Sequence, residues 1–395
     1  MKALLLATTF PRWSADPGPA PFVFQLAKHL SGLLPVLCLA PHFPGAAREE
    51  NLEGVPVQRF QYLWPESLET LADGQGIQNH LRQSWRARLE AVPFLFGELR
   101  ALRRLLQSGE FAAVNAHWLV PSGALAAWLK RRYHFRLVLT AHAADLFLLL
   151  RLPGGKTLLR WIVGRADVVF CVSQAIQAGM AEVTGPSPKF RVLSMGADLS
   201  LFSPAPDKDA IRERLQIGPG QVILFVGKLT EKKGVTYLLQ AAARLEKEWR
   251  LLIVGQGILR PGLEAEAARL GIRERVRFVG AMPQARLADY YRAADLVVVP
   301  SVRDVKGEAE GMPVVILEAL ASGAPVIATE VCSVPEALKG KGVKEVPSAD
   351  VAALARAMAA VLGGEAAPAD PKAIEPYAWP EIARQYAQAL SGDGP

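Results

Sequence analysis

Cysteine is scarce in this chain of 395 residues, which has only Cys38, Cys171 and Cys332. They lie far apart, each in or beside an apolar stretch, so we expect small core residues and not a disulfide or zinc framework. A reducing, cytoplasmic setting is expected from this. Histidine is also scarce, and all six copies lie in the first half, at positions 29, 42, 80, 117, 134 and 142. Any imidazole in a functional site must therefore come from that half.

Long apolar runs are lacking as well. The longest uncharged run, residues 111–129, contains Asn115, His117 and Pro121, so it fits a strand, a turn and a buried helix better than a membrane span. The apolar start of the chain is short and is broken by Thr8 and Pro11, which favours a first β-strand over a signal peptide. We expect no transmembrane segment.

Acidic residues are few in the first half. Residues 1–200 carry 21 Lys and Arg against 14 Asp and Glu, whereas residues 201–395 carry 24 of each, so the net charge of +7 lies in the first half. That half could face an anionic membrane surface or acceptor, or simply have a solvated basic face. Segments 84–107 and 146–165 interleave aromatic and basic residues, as an interfacial helix does, although Arg stems packed over a core give the same pattern. We expect a cytoplasmic protein that could be peripheral on the inner face of the membrane, with no nucleic-acid partner.

Short β-branched runs alternate with helix-period segments along the whole chain, which is typical of doubly wound parallel sheets with crossover helices. A Pro-containing polar connector places a domain boundary near residue 204. We predict domains over 1–204 and 205–375, and a final segment, 376–395, whose helix could cross back to the first domain. Two such α/β domains facing each other would form a cleft at the carboxyl ends of their strands. The predicted strands are 3–7, 35–40, 55–62, 112–116, 137–141, 168–172, 190–193, 222–226, 251–254, 276–279, 296–299, 325–328 and 343–346.

Two carboxylates flank a predicted helix in the stretch EGMPVVILEALASG, which begins at Glu310. Pro313 suits the first turn of a helix and Gly323 its end, so we predict a helix over 313–322. Glu318 then lies about 7.5 Å along the axis. Carboxylates on both sides of a bound anion favour a ligand with hydroxyls around a phosphate, as in a nucleotide sugar, although a surface helix with two solvated glutamates has the same spacing. The first-turn amides that would bind the anion are those of Gly311, Met312 and Val314.

A lysine-rich loop follows the predicted strand 222–226 in VILFVGKLTEKKG. Glycines for close backbone approach and lysines for charge suit phosphate binding at the carboxyl end of a strand, and a solvated basic loop is the alternative. The candidate residues are Gly227, Lys228, Lys232, Lys233 and Gly234.

Four segments between about residues 220 and 345 carry a family resemblance: VGKLTEKKG, LLIVGQG, VRFVGAMPQARLADYYRAADLVVVPS and EGMPVVILEALASGAPVIAT. In this order they resemble the nucleotide-binding domain of the retaining GT-B glycosyltransferases of family 4. The resemblance implies a hexosyltransferase that uses a nucleotide diphosphate sugar and a saccharide or lipid-linked acceptor. We expect no cofactor and no metal, because nothing in the sequence requires one. It implies that Glu310 contacts donor-sugar hydroxyls and that Glu318 contacts the ribose. Lys228 and Lys233 would hold the diphosphate, and the loop 280–282 would lie against the base.

The first half carries a weaker part of the same resemblance. LVLTAHAADLF is similar to the family segment in which a histidine approaches donor sugar and acceptor, which implies a catalytic His142 and a substrate-binding Asp145. Ala143 replaces the usual glycine there. Many relatives have a Gly-Gly loop after the first strand, and only Gly18 can be carried over to it. His117 could support the acceptor pocket.

Other interpretations use the same residues. A nucleotide-sugar epimerase or phosphorylase of the same fold is the enzymatic alternative, and a non-catalytic sugar-binding protein with two α/β lobes is the binding alternative. A dinucleotide oxidoreductase is disfavoured because GQGILR, from Gly255, ends in Arg260 where the motif needs glycine. Asp207 and Asp209 spell D-x-D, but acids are favoured at the start of a helix in any case.

Overall fold

The structure is a computed structural model that describes residues 1–14, 16, 22–72, 77, 80–81, 84–303, 311–365 and 369–392. The chain divides into two compact units, one formed by Met1–Met195 with Trp379–Pro395 and the other by Gly196–Ala378. The segment before residue 204, predicted to be a connector, belongs to the second unit. The amide of Ala197 donates to the carbonyl of Tyr377 at 2.9 Å, and the Phe202 ring is buried in that unit's core.

The first unit contains an eight-stranded sheet in the order β3-β4-β2-β1-β5-β6-β7-β8, parallel except for the antiparallel pair of β3 and β4. Its strands are β1 Lys2–Leu6, β2 Val36–Pro41, β3 Glu49–Leu52, β4 Val55–Phe60, β5 Phe111–His117, β6 Arg136–Ala141, β7 Val168–Cys171 and β8 Phe190–Val192. Its helices before residue 195 include α1 Phe22–Ser31, α2 Trp85–Gln107, α3 Ala124–Tyr133, α4 Ala143–Arg151, α5 Gly155–Arg165 and α6 Gln174–Thr184.

The second unit contains a six-stranded parallel sheet in the order β11-β10-β9-β12-β13-β14. Its strands are β9 Gln221–Val226, β10 Trp249–Val254, β11 Val276–Gly280, β12 Leu296–Val299, β13 Val326–Thr329 and β14 Val343–Val346. Its helices include α7 Lys208–Arg214, α8 Val235–Ala242, α9 Arg260–Arg269, α10 Gln284–Ala293, α11 Val314–Ala321, α12 Val351–Ala360 and α13 Pro371–Ile374. Core side chains cover both faces of this sheet.

The predicted strands all appear because a parallel strand is covered on both faces and is therefore apolar along its length. Residues 296–299, LVVV, and 222–226, VILFV, are examples. The sequence did not predict β3, whose residues EENL include only one buried side chain. It is an edge strand paired only with β4, so it needs no apolar face.

The last helix, α14 Trp379–Ser391, packs in the first unit against α1, β5 and β6. The hydroxyl of Tyr386 lies 2.9 Å from Oγ1 of Thr140 on β6. The Arg136 side chain donates to the carbonyl of Ala389 at 2.6 Å. Among the described helices, none is both long and apolar enough to cross a membrane.

Candidate active site

Each sheet has a point where its strand order reverses, and candidate residues lie at both points. In the second unit β9, β10 and β11 run to one side while β12, β13 and β14 run to the other, so β9 and β12 are neighbours. In the first unit β1 and β5 are neighbours for the same reason. Loops that leave neighbouring strands in opposite directions open a crevice at the carboxyl ends, where ligands bind in α/β sheets.

The lysine loop after β9 is seated on the segment that follows β12. The amide of Val302 donates to the carbonyl of Lys232 at 2.9 Å. Gly234 has a φ of +65°, and a Cβ placed there would lie 1.9 Å from the carbonyl oxygen of Pro300. Only glycine allows this contact, since the αL conformation and the close approach both exclude a side chain. The loop is thereby fixed beside residues 300–302, which directly follow β12.

The glycines of GQG have a packing role at the same edge. A Cβ at Gly255 would lie 1.9 Å from the carbonyl oxygen of Gly227, and Gly255 has a φ of +140°. The amide of Leu229 donates to the carbonyl of Gln256 at 2.9 Å. This segment supports the lysine loop from the β10 side, which accounts for its glycines without a dinucleotide.

The two predicted phosphate-binding lysines differ in exposure. Lys228 is exposed, whereas Lys233 is half-buried, and its stem passes over Gly227, with a Cβ there 3.6 Å from Cε of Lys233. A cation fixed in a partly dry position stabilises a developing negative charge more than a solvated one. Of the two, Lys233 is therefore the better placed to stabilise a negative charge.

The helix α11 begins one residue later than predicted, with Pro313 as its N-cap. Gly311 is half-buried, Met312 is buried and contributes to the core, and Val314 is the first helical residue. The amides before and within the first turn of a helix have no intrahelical acceptor and bear partial positive charge. They offer donors to an anion at this end. Glu310 lies outside the described residues.

Glu318 is on α11 and is only 5% exposed. Its Oε2 accepts a hydrogen bond from the Tyr291 hydroxyl at 2.7 Å and its Oε1 accepts one from Nε2 of Gln284 at 3.2 Å. Burial raises its pKa to about 7, although the two hydrogen bonds oppose that shift. A carboxyl group held near half-ionisation at neutral pH can accept a hydroxyl hydrogen bond or donate one.

Gln284 and Tyr291, both on α10, are the partners that sequence reasoning missed. They lie within the quoted segment VRFVGAMPQARLADYYRAADLVVVPS, and the seven-residue interval between them places them on one face of a helix. That interval was the available signal. Nothing in the sequence says that this face meets Glu318, because α10 and α11 are brought together only by the sheet.

In the first unit, His142 follows β6 and precedes α4, as predicted. Its Nε2 lies 3.3 Å from Nδ1 of His117, the last residue of β5. The rings of Phe22 and Trp118 lie 5.4 and 5.1 Å from the His142 ring. This desolvation lowers the pKa of His142 to about 4, so its imidazole is neutral at pH 7. A neutral imidazole can donate one hydrogen bond and accept another.

His117 is fully buried, and its ring stacks on that of Tyr386 with the centroids 6.2 Å apart. Desolvation lowers its pKa well below the ordinary value, and the neighbouring His142 adds to that shift. Nε2 of His117 has no hydrogen-bond partner among the described residues. The pair of histidines is therefore uncharged, and the helix α14 packs behind it.

Asp145 is fully buried, so the structure gives it a local role. Its Oδ2 accepts from the amide of Leu119 at 2.5 Å and its Oδ1 accepts from the amide of Leu146 at 3.0 Å. Burial raises its pKa to about 7. Asp145 ties the start of α4 to the turn after β5, which holds His142 and His117 in place, and direct contact with substrate stays a prediction. Gly18 lies outside the described residues.

Asp207 caps the start of α7, because its Oδ1 accepts from the amide of Ala210 at 2.9 Å. The D-x-D sequence thus has a structural explanation at its first residue. Cys38, Cys171 and Cys332 are buried free thiols, as expected from their apolar surroundings.

Comparison with known proteins identifies the family of both halves. Residues 220–363 match the family model described as "Glycosyl transferases group 1", and residues 18–201 match "Glycosyltransferase Family 4". A GDP-mannose-dependent alpha-(1-6)-phosphatidylinositol monomannoside mannosyltransferase of Mycolicibacterium smegmatis is 30% identical over 309 residues, which are 74% of this chain and 79% of that protein. Against some other curated relatives the chain spans a little over half of their length.

Solved structures share the fold across nearly the whole chain. Sucrose-phosphate synthase from Thermosynechococcus elongatus has a TM-score of 0.75 at 21% identity and covers 99% of this chain and 94% of its own. The Anabaena protein HepE, solved with UDP and glucose, has a TM-score of 0.72 at 21% identity and covers 99% of this chain and 100% of its own. The predicted fold class is confirmed. The chain belongs to glycosyltransferase family 4 and has the GT-B fold.

Proposed function

We propose that this glycosyltransferase moves a hexosyl unit from a nucleotide diphosphate sugar to an acceptor hydroxyl with retention at the anomeric carbon. The observation that carries the proposal is the seating of the lysine loop on residues 300–302, which follow β12, at the strand reversal of the second sheet. In this proposal the cationic side chains of that loop and the amides at the start of α11 bind the donor at the place where such sheets bind ligands.

In this proposal the diphosphate binds to Lys228, Lys233 and the amides of Gly311, Met312 and Val314. The leaving nucleoside diphosphate gains negative charge as the glycosidic bond breaks, so donors fixed at that place stabilise the transition state more than the ground state. Gly227 lets the phosphate approach the backbone closely. These groups neutralise the charge without a metal, which a chelator can test.

The hydroxyl groups of the donor are assigned to the two glutamates. Glu310 would accept hydrogen bonds from the hexose as positive charge develops on the ring. Glu318 would bind the ribose, and its carboxylate has lone pairs left after Tyr291 and Gln284 have donated to it. Because the ribose hydroxyls hydrogen-bond to the ionised form, we expect the pKa of Glu318 to fall when the donor binds.

His142 is proposed to contact the transferred sugar and the acceptor as a neutral imidazole, with Asp145 positioning it. The loop containing Gly18 is proposed to shape the acceptor side. No side chain is assigned as a covalent nucleophile, and the departing phosphate would take the acceptor proton on the same face of the sugar.

The donor and acceptor classes draw on the relatives. HepE was solved with UDP and glucose, which supports a nucleotide sugar donor. The mycobacterial relative is named for a phosphatidylinositol mannoside acceptor, which supports a lipid-linked acceptor over a free saccharide. Such an acceptor would bring the protein to the cytoplasmic face of a membrane, and the net positive charge of residues 1–200 favours an anionic one.

The test begins with a survey of nucleotide sugars by thermal shift, because a ligand that binds the folded state raises its melting temperature. The stabilising donor is then incubated with saccharide and lipid-linked acceptors, and nucleoside diphosphate release is measured with and without a chelator. Proton NMR of the first product gives the anomeric configuration. Acceptor-dependent release, unchanged by chelator and with retention, is expected.

Three results would contradict the proposal. Inversion of the anomeric configuration would reject the retaining mechanism. Loss of activity with chelator would reject a diphosphate site that works without a metal. Conversion of the donor sugar without any acceptor would favour an epimerase.

A further inference from the structure

The exposed face of α2 has an unusual composition. Eleven of its residues are exposed, and apart from Gln107 they are either arginines or large apolar side chains. The arginines are Arg86, Arg88, Arg100, Arg103 and Arg104, and the apolar residues are Trp85, Leu89, Val92, Leu95 and Phe96. Within this helix, all of which the structure describes, the only carboxylates are Glu90 and Glu98, and both are buried.

The exposed apolar residues form a stripe, which we call the α2 stripe and define as Trp85, Leu89, Val92 and Phe96. Spacings of four, three and four residues place them on one face of a helix. They are 67%, 66%, 57% and 66% exposed, respectively. A helix in a soluble domain normally has one apolar face, and it points to the core.

The core-facing side of α2 lies on the other side of the helix. Its buried residues are Ala87, Glu90, Phe94, Glu98, Leu102 and Leu106. At 100° per residue, the centre of the α2 stripe lies about 150° away from the centre of this buried set. The stripe is therefore a second apolar face, which the packing of the first unit does not use.

Exposed apolar side chains are concentrated in one unit. Of the fourteen large apolar side chains exposed among the described residues, thirteen lie in the first unit and five of these on α2. In the second unit only Ile258 belongs to this set. Among the described residues, exposure of this kind is therefore a property of the first unit's surface and not of the chain in general.

The second segment predicted to touch a membrane does not have this character. Over residues 146–165, Leu152 is the only large apolar side chain recorded as exposed. The indole of Trp161 is half-buried, and the guanidinium of Arg165 lies 4.2 Å from its ring centroid. There Arg165 covers an aromatic ring, as arginine stems do over a core.

We propose that α2 lies in the plane of an anionic lipid surface, with the α2 stripe inserted among the acyl chains and its five arginines on the phosphates. The helix has no exposed carboxylate, so a second copy docked through the same face would set arginines against arginines, whereas phosphates lie all along an anionic lipid surface. Guanidinium groups bind lipid phosphates by paired hydrogen bonds.

The biological purpose of this lipid-binding surface rests on the proposed function, because it would place the enzyme where its acceptor lies. A lipid-linked acceptor presents its hydroxyls at the membrane surface. A protein that α2 holds on the same surface would therefore find that acceptor by diffusion along the membrane. Binding to lipid through α2 can nevertheless be measured without any catalysis.

The experiment measures co-sedimentation of the full chain with vesicles of pure phosphatidylcholine and with vesicles of equal parts phosphatidylcholine and phosphatidylglycerol. Binding is expected to the anionic vesicles, and it should weaken as salt is added. A double variant that carries Leu89→Ser and Phe96→Ser should have a vesicle partition coefficient about 100-fold lower, since each side chain contributes about tenfold when it inserts. A double variant that carries Arg100→Gln and Arg103→Gln should have a partition coefficient about 25-fold lower.

Two matched controls remove the same chemistry elsewhere. Leu33→Ser with Ile258→Ser deletes two exposed apolar side chains, and Arg244→Gln with Arg356→Gln deletes two exposed arginines, all outside α2. These pairs should bind lipid as the parent does, apart from a few-fold loss for the arginine pair. Thermal unfolding of all variants checks that each is folded, and all these sites are exposed.

The outcomes separate the two proposals. No vesicle binding at low salt, or equal losses in the α2 and control pairs, would overturn the inference. Concentration-dependent self-association abolished by the α2 pair, without vesicle binding, would replace the lipid by a second copy of the chain. Vesicle binding with no transfer of sugar would leave this inference standing and reject the proposed function. If both proposals hold, the parent and the α2 variants should transfer sugar equally well to a soluble acceptor. Transfer to an acceptor in vesicles should be lost only in the α2 variants.

Discussion

Replacing Glu318→Gln should make the protein more stable above neutral pH while impairing its use of the donor. The side chain is 5% exposed, and its pKa is raised from 4.5 to about 7. Ionising it in the folded protein is therefore about 3 kcal/mol more costly than in the unfolded chain. A glutamine has no such cost, and its amide can accept from the Tyr291 hydroxyl and donate to the side-chain carbonyl of Gln284 after rotation.

The sign of the pH dependence follows from proton binding. Between pH 4.5 and 7 the unfolded chain has released this proton while the folded chain still holds it. The free energy of unfolding therefore falls as the pH rises through that window, and the whole penalty is present above pH 7. Near pH 4 both states are protonated, so the parent and the Glu318→Gln variant should unfold alike.

The assay is urea and thermal unfolding of the two proteins at pH 4 and pH 8. At pH 8 the variant should gain about 1 to 3 kcal/mol, or roughly 3 to 10 °C for a unit of this size. The exposed Glu213→Gln serves as control and should change stability by less than about 0.5 kcal/mol. A variant that is no more stable than the parent at pH 8 would refute the reasoning about burial.

Donor binding by the same variant tests a different statement. If Glu318 accepts hydrogen bonds from the ribose, losing its charge should weaken donor affinity about 10- to 100-fold. A stabilised variant with unchanged donor affinity would support the burial argument and reject the ribose contact.

Three further substitutions test the site. Lys233→Ala should lower turnover by about 10² to 10³, because a preorganised cation at the leaving phosphate is lost. The exposed Lys247→Ala is the control and should not change turnover, and equal rates for the two variants would reject the role of Lys233 at the phosphate. Gly234→Ala should destabilise the protein by at least about 2 kcal/mol and lower activity, since φ is +65° and the new Cβ would lie 1.9 Å from the carbonyl of Pro300; wild-type stability would show that the loop adapts. Asp145→Asn should destabilise the protein by about 1 to 3 kcal/mol at pH 4, where the cost of ionising this buried acid is absent, because the amide groups that face its two carboxyl oxygens can only donate. Calorimetry at pH 4 measures the loss, and a variant as stable as the parent there would contradict it.

Strand positions could be predicted because each parallel strand is a run of buried apolar residues, which is a property of local sequence. The helix α11 was predicted to within one residue at each end, since Pro313 and Gly323 mark its limits. The edge strand β3 was missed because an exposed strand with one neighbour has no such requirement. The exposure of individual side chains could not be predicted either. The sequence showed aromatic and basic residues together in both segments 84–107 and 146–165, but only the packing shows that the first segment exposes an apolar stripe.

The family, the two parallel-sheet units and the candidate lysines and glutamates were determined by the sequence, because short motifs, apolar runs and Gly or Pro punctuation are local features. The tertiary structure decided which groups meet. His117 and His142 pair because β5 and β6 are neighbours, Tyr386 packs behind His117 because the last helix returns to the first unit, and Glu318 meets Tyr291 because the sheet packs α10 against α11. Burial, and with it the pKa of each buried acid and histidine, depends on all the chain segments that surround a side chain, and no local pattern contains that information.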